Sequence, residues 1–143
     1  MHLNIVARVL GLLLMIFSLT MLPPVVVAIL YGEDTSSMFV LAFAITLIVG
    51  LVFWLPSKRV TAEMRTRDGF LITVFFWLVL SSFGALPLML SEAPNLSFIN
   101  ALFESVSGLT TTGATVISGL DDLPKSILYY RQQLQWLGGI GIV

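Results

Sequence analysis

The chain has 143 residues, of which 57% are hydrophobic and only 10% charged, and its mean hydropathy is +1.00. Those values lie far from the averages of a soluble globular domain and make lipid the solvent for most of the chain. A net charge of -1 provides neither a basic stripe for nucleic acid nor an acidic tail, and the absence of cysteine excludes disulfides, thiolate metal sites and thiol nucleophiles.

Three apolar runs reach the roughly 20 residues that a bilayer crossing requires: Val9 to Leu30, Met38 to Pro56 and Gly69 to Leu90. Arg8 ahead of the first run resembles the start of a secretory signal, but the run is too long and lacks a small-residue cleavage site. Pro23 and Pro24 are expected to kink the first span without ending it, since apolar residues continue beyond them. The loop from Ser57 to Asp68 carries Lys58, Arg59, Arg65 and Arg67, whereas Tyr31 to Ser37 carries Glu33, Asp34 and no base. By the positive-inside rule the basic loop and the N-terminus are cytoplasmic, and the Tyr31 to Ser37 and Ser91 to Ser97 loops are external. Tyr31, Trp54, Tyr129, Tyr130 and Trp136 fall near predicted span ends and fit interfacial belts, while Trp77 falls inside the third run and fits packing.

After the third span comes a short helical segment, 97–109, with Ser97 as its expected N-cap. At about 1.5 Å per residue it reaches only about 20 Å, too short for a hydrocarbon core of about 30 Å. Its only charge is Glu104, unlike the basic polar face of an interfacial helix, so the favoured reading is a re-entrant helix. SGLTTTGAT, Ser107 to Thr115, then lies at its inner end. Non-helical backbone at that depth is tolerable only where protein shields it or where it lines a watery cavity. An extended segment there can aim backbone carbonyls at a dehydrated cation, with Gly113 permitting the backbone angles required. The C-terminal end of the helix near Leu109 and Thr110 adds the negative end of its dipole, and the threonine hydroxyls offer further oxygens. Taken alone, TTTG is also an ordinary turn. The next apolar run, from Leu134 to Val143, is shorter than a full crossing.

Span, short helix, TTTGAT and a second span make a membrane-pore-membrane unit. On FINALFESVSGLTTTGAT and QWLGGIGIV, the chain resembles the bacterial Trk/Ktr/HKT superfamily of potassium transporters, and within it the TrkH-type uptake subunits, over essentially its whole length. The resemblance implies an all-α polytopic membrane protein with an N-terminal helix pair, 1–68, and a first, incomplete membrane-pore-membrane unit, 69–143. Within that unit it implies a span at 69–90, pore helix at 97–109, filter at 111–115 and a second span starting about residue 131. Family members build one pore from four such units, so the chain is expected to be the N-terminal part of a longer protein. The implied potassium-binding filter residues are Thr111, Thr112, Gly113, Ala114 and Thr115, supported by Glu104 and Thr110. A serine in place of Gly113 accompanies sodium preference in some plant relatives, so glycine implies potassium. A homodimer, a cytosolic nucleotide-binding regulatory subunit resembling TrkA and residence in the bacterial inner membrane are implied as well. No cofactor is implied; potassium is the transported ion.

Glu104 allows two roles, attracting cations toward the filter or hydrogen-bonding groups behind it, with the supporting role preferred. Arg131 reads as an anchor at the outer boundary, and Gly138, Gly139 and Gly141 as sites of close helix packing. An intramembrane enzyme is disfavoured, because Ser105, Ser107 and the threonines lack an activating base and His2 is remote. The remaining alternative is a membrane adaptor or small helical subunit that conducts no ions.

Overall fold

The computed structural model describes residues 3–58 and 65–142; His2, Arg59 and Val143, named above, lie outside the described residues. The elements in chain order are α1 (Leu3–Leu19), α2 (Leu22–Tyr31), α3 (Ser36–Ser57), α4 (Thr66–Gly84), α5 (Leu86–Leu90), α6 (Phe98–Leu109), a 3-10 turn (Leu120–Asp122) and α7 (Lys125–Ile142). Among the described residues, three stretches are long and apolar enough to cross a membrane: Leu3–Tyr31, Ser36–Ser57 and Thr66–Leu90.

The first stretch is two helices instead of one kinked helix, with a turn at Thr20 and Met21. Pro23 and Pro24 occupy the first turn of α2, where a missing N–H costs least. Pro24 has no N–H to give the Thr20 carbonyl four residues back. Gln133 of α7 supplies the bond instead, its side-chain amide donating to that oxygen at 2.7 Å. The third stretch is likewise broken, at Ala85 between α4 and α5, with Pro87 near the start of α5.

The long helices pack through small residues. A methyl group at Gly11 of α1 would lie 2.7 Å from the Gly50 carbonyl oxygen of α3, and one at Gly50 would meet the Gly11 carbonyl oxygen at 3.0 Å. Such close approach of backbones is how helices associate where lipid removes the hydrophobic drive between them. The main core is shared by α1, α3, α4, α5, α6 and α7, and includes Phe17, Phe39, Leu80, Leu88, Tyr130 and Leu134. Tyr130 departs from its expected place in an interfacial belt. It is 1% exposed, its hydroxyl donates to the Gly84 carbonyl at 2.7 Å, and its ring meets Phe39 edge-on at 5.5 Å. With the phenol hydroxyl partnered inside, the ring has no reason to seek the interface.

α7 begins at Lys125, earlier than the expected start near residue 131. Glu33, from the loop between α2 and α3, explains the extension. Its carboxylate accepts from the Lys125 N–H at 2.5 Å and from the N–H and hydroxyl of Ser126 at 3.1 and 2.6 Å. Two N–H groups that a helix start leaves orphaned are thereby satisfied by an anion at the positive end of the helix dipole.

Candidate functional site

Ser97 caps α6 as expected, its hydroxyl accepting from the Asn100 N–H at 3.4 Å. The buried face of α6 carries Ala101, Glu104, Ser105 and Gly108, whereas Phe98, Ile99, Phe103 and Val106 are exposed. Apart from Leu109 at its end, small and polar residues therefore face the neighbouring helices and the large apolar ones named face outward, the reverse of a helix on a water-soluble core. Gly108 permits the approach of α7, since a methyl there would stand 3.0 Å from Leu134 Cβ.

The threonine run forms the end of α6. The Thr111 N–H donates to the Gly108 carbonyl and the Thr112 N–H to the Ser107 carbonyl, each at 2.9 Å. This is the paired bonding of a Schellman motif, in which one residue takes a left-handed conformation. Thr111 holds that place with φ of +58°, where glycine is usual and a β-branched side chain is strained by roughly 1–3 kcal/mol. The Thr110 hydroxyl donates to the Val106 carbonyl at 2.7 Å and stands 2.8 Å from that of Thr112. With its single proton used on Val106, Thr110 accepts from Thr112. Gly113 follows with φ of +76°, and its N–H also reaches the Ser107 carbonyl, at 3.3 Å.

Beyond Gly113 the chain runs without regular structure to Ile117 and is held from behind. Ser107 donates its hydroxyl to the Ala114 carbonyl at 2.6 Å. Glu104 accepts with one oxygen from the Thr115 hydroxyl at 2.5 Å and from the Val116 N–H at 2.6 Å. Its other oxygen pairs with Arg131 of α7, 2.9 Å from Nη2 and 3.1 Å from Nε. The Glu104 side chain is 2% exposed and that of Arg131 10%. Arg131 is thus a largely covered ion-pair partner of α6 and not the boundary anchor expected of it. Among the described residues, nothing donates to the carbonyl oxygens of Thr111, Thr112 or Gly113, and all residues from Thr110 to Val116 are exposed.

Every residue singled out in the sequence from Glu104 to Thr115 therefore lies in one continuous assembly of α6 and the segment that follows it. Sequence reasoning missed Ser107 and Arg131 as its anchors. Ser107 carried a signal, being a small hydroxyl one turn before the threonines; Arg131 carried little, because its partner is fixed only by the packing of α7. Of the three glycines at the end of α7, Gly138 alone is in close contact: a methyl there would run into the Leu109 backbone carbonyl, while Gly139 and Gly141 have nothing within 4 Å.

Comparison with known proteins bears on this arrangement. Residues 35–143 match the family described as TrkH, cation transport protein. The chain belongs to the TrkH family. It is 58% identical over 143 residues to the Trk system potassium uptake protein TrkH of Halomonas elongata and 50% identical to that of Escherichia coli, in each case over all of this chain and 30% of the relative. It superimposes on the crystal structure of the potassium transporter TrkH from Vibrio parahaemolyticus with a TM-score of 0.95 and 53% identity, over 99% of this chain and 30% of that one. The chain thus spans about 30% of the length of these TrkH relatives. The TrkH family is one of cation transporters and not of enzymes, and with three membrane-length apolar stretches among the described residues this member is a multi-pass membrane protein.

Proposed function

We propose that the chain supplies one strand of a four-part, potassium-selective filter in the pore of a bacterial uptake system of the inner membrane. α6 is then the re-entrant pore helix, Thr111 to Thr115 the filter strand, and α7 the start of the second span of the first membrane-pore-membrane unit. The observation that carries this reading is the exposed turn at the C-terminal end of α6, where the carbonyls of Thr111, Thr112 and Gly113 receive no hydrogen bond from the described residues. Bare carbonyl oxygens at the negative end of a helix dipole suit a cation that has shed its water. Ala114 belongs to the strand through its position, although its carbonyl is engaged by Ser107. Thr110 steadies the turn and Glu104 the far end of the strand, so both act as supporting residues. A dimer and a cytosolic nucleotide-binding regulatory subunit complete the assembly in this reading, with the N-terminus on the cytoplasmic side.

Potassium-limited growth of a bacterium lacking its own uptake systems tests the proposal. The full-length protein is expected to restore growth, and Gly113→Ser is expected to insert normally while admitting sodium, because the strand is disturbed at its φ of +76°. A membrane adaptor that conducts no ions would give the opposite pattern: Gly113→Ser would alter assembly with a partner and leave ion flux unchanged.

A further inference from the structure

The filter strand is open at its front and clamped at its back. Thr111, Thr112 and Gly113 leave their carbonyls bare, whereas Ala114 is bonded to Ser107, and Thr115 and Val116 to Glu104. Of these clamps only the Glu104 carboxylate extends to another helix. Its second oxygen takes two donors from the guanidinium of Arg131, which lies 27 positions further along the chain.

The chemistry of the pair is that of a buried charge needing a partner. A carboxylate only accepts hydrogen bonds, and one that is 2% exposed has little water to turn to. The Thr115 hydroxyl and Val116 N–H are neutral donors, so they position the carboxylate without neutralising it. Arg131 supplies the opposite charge, and its planar fork fixes the carboxylate in rotation as well as in place. With Arg131 removed, the carboxylate is free to turn away from the strand or to draw in water, and either change slackens Thr115 and Val116. The setting of the strand is thereby tied to the seat of α7, which Glu33 fixes at its start and Gly138 presses against Leu109.

We infer that Arg131 is a positioning residue for ion selection: through Glu104 it holds the filter strand at the spacing that distinguishes potassium from sodium. The inference rests on the filter reading above and adds to it a residue that touches no ion. An arginine lining the ion path would instead repel cations, but at 10% exposure and with its fork on Glu104 this side chain is occupied elsewhere.

The test uses the full-length protein in membrane vesicles, comparing rubidium and sodium uptake at matched amounts of inserted protein. Arg131→Met, which keeps the length and removes the charge, is expected to reduce rubidium-over-sodium discrimination by about tenfold, since breaking one side of a buried pair is costly. Arg131→Lys keeps the charge but loses the fork and is expected to lose about threefold. Adding Glu104→Gln to Arg131→Met is expected to give no further loss, because the two residues act as one unit. If Arg131→Met does not accumulate, Arg131→Lys decides alone: reduced discrimination supports the inference, and discrimination equal to that of the parent overturns it. Gly113→Ser is measured alongside. A loss there with none in Arg131→Lys overturns the positioning role and leaves the filter reading standing, whereas no loss in either variant overturns both.

Discussion

The α1–α3 seam and the α6–α7 unit solve different problems with overlapping sets of residues. In the seam, Gly11 and Gly50 bring α1 and α3 together backbone to backbone, and the contact asks only that the surfaces be small. In the α6–α7 unit, Gly108 and Gly138 do the same for two helices, but the closeness serves an additional purpose. It brings Arg131 within reach of Glu104 and lets Glu104 reach Thr115 and Val116. Gly113, between the same two helices, is there for its backbone angle, with no atom closer to an added methyl than 3.9 Å. Small residues in a membrane protein therefore have to be sorted by what stands opposite them: backbone opposite means packing, and open space at positive φ means conformation.

Four substitutions separate packing from conformation. Gly138→Ala is expected to have the largest effect, because the added methyl meets the Leu109 backbone and not a flexible side chain. A loss of about 3 kcal/mol or more is expected, at or beyond the upper end for overpacked sites, seen as low yield and early thermal unfolding in detergent. Gly11→Ala should cost about 2 kcal/mol by the same mechanism, partly offset by the better helix propensity of alanine, and the surviving protein should keep its ion discrimination. Ser107→Ala should cost only about 1 kcal/mol for the lost bond to Ala114, yet should shift discrimination in uptake assays, since the Ser107 carbonyl still holds Thr112 and Gly113 while Ala114 is released. Sharing a small stability cost with changed selectivity would separate the two regions cleanly.

Glu33→Gln is the mildest and depends on pH. Burial raises the Glu33 carboxyl, but the bonds from the Ser126 hydroxyl and N–H, the Lys125 N–H and the Thr35 hydroxyl outweigh it and lower the pKa below its ordinary 4.5. A carboxylate lowered by folding contributes stability that is complete above the ordinary value and is lost as pH falls through the lower folded value. The parent should therefore lose about 1 kcal/mol or less of capping stability as the pH falls below about 4.5, whereas Glu33→Gln should show that deficit already at neutral pH and little further change. Thermal melts of the two proteins across that range would show the curves converging in acid.

Much of this arrangement was legible in the sequence, and its gaps have physical causes. The three membrane-length stretches follow from unbroken apolar runs, and the short helix follows from Ser97 and the length limit of Phe98–Leu109. The left-handed turn at Gly113 is foreseeable from glycine; that at Thr111 is not, because a threonine reaches it only when the hydrogen bonds to Ser107 and Gly108 enforce it. The early start of α7 depends on Glu33, 92 positions away from Lys125, and the burial of Tyr130 depends on a bare carbonyl at Gly84. Arg131 looks like a boundary anchor for the same reason: a charged residue at the head of an apolar run reveals its partner only when the helices are packed. Local chemistry was visible, while the pairings between elements were not.

In the proposed function, the strand from Thr111 to Thr115 selects the ion while the α1–α3 seam only holds the protein together. Potassium and sodium uptake by full-length Gly113→Ser and Gly50→Ala, measured side by side at equal membrane abundance, distinguishes these two roles. The expected result is a fall of about tenfold, or about 1.4 kcal/mol, in potassium-over-sodium discrimination for Gly113→Ser and none for Gly50→Ala. Equal discrimination in both variants, or a loss confined to Gly50→Ala, would contradict it.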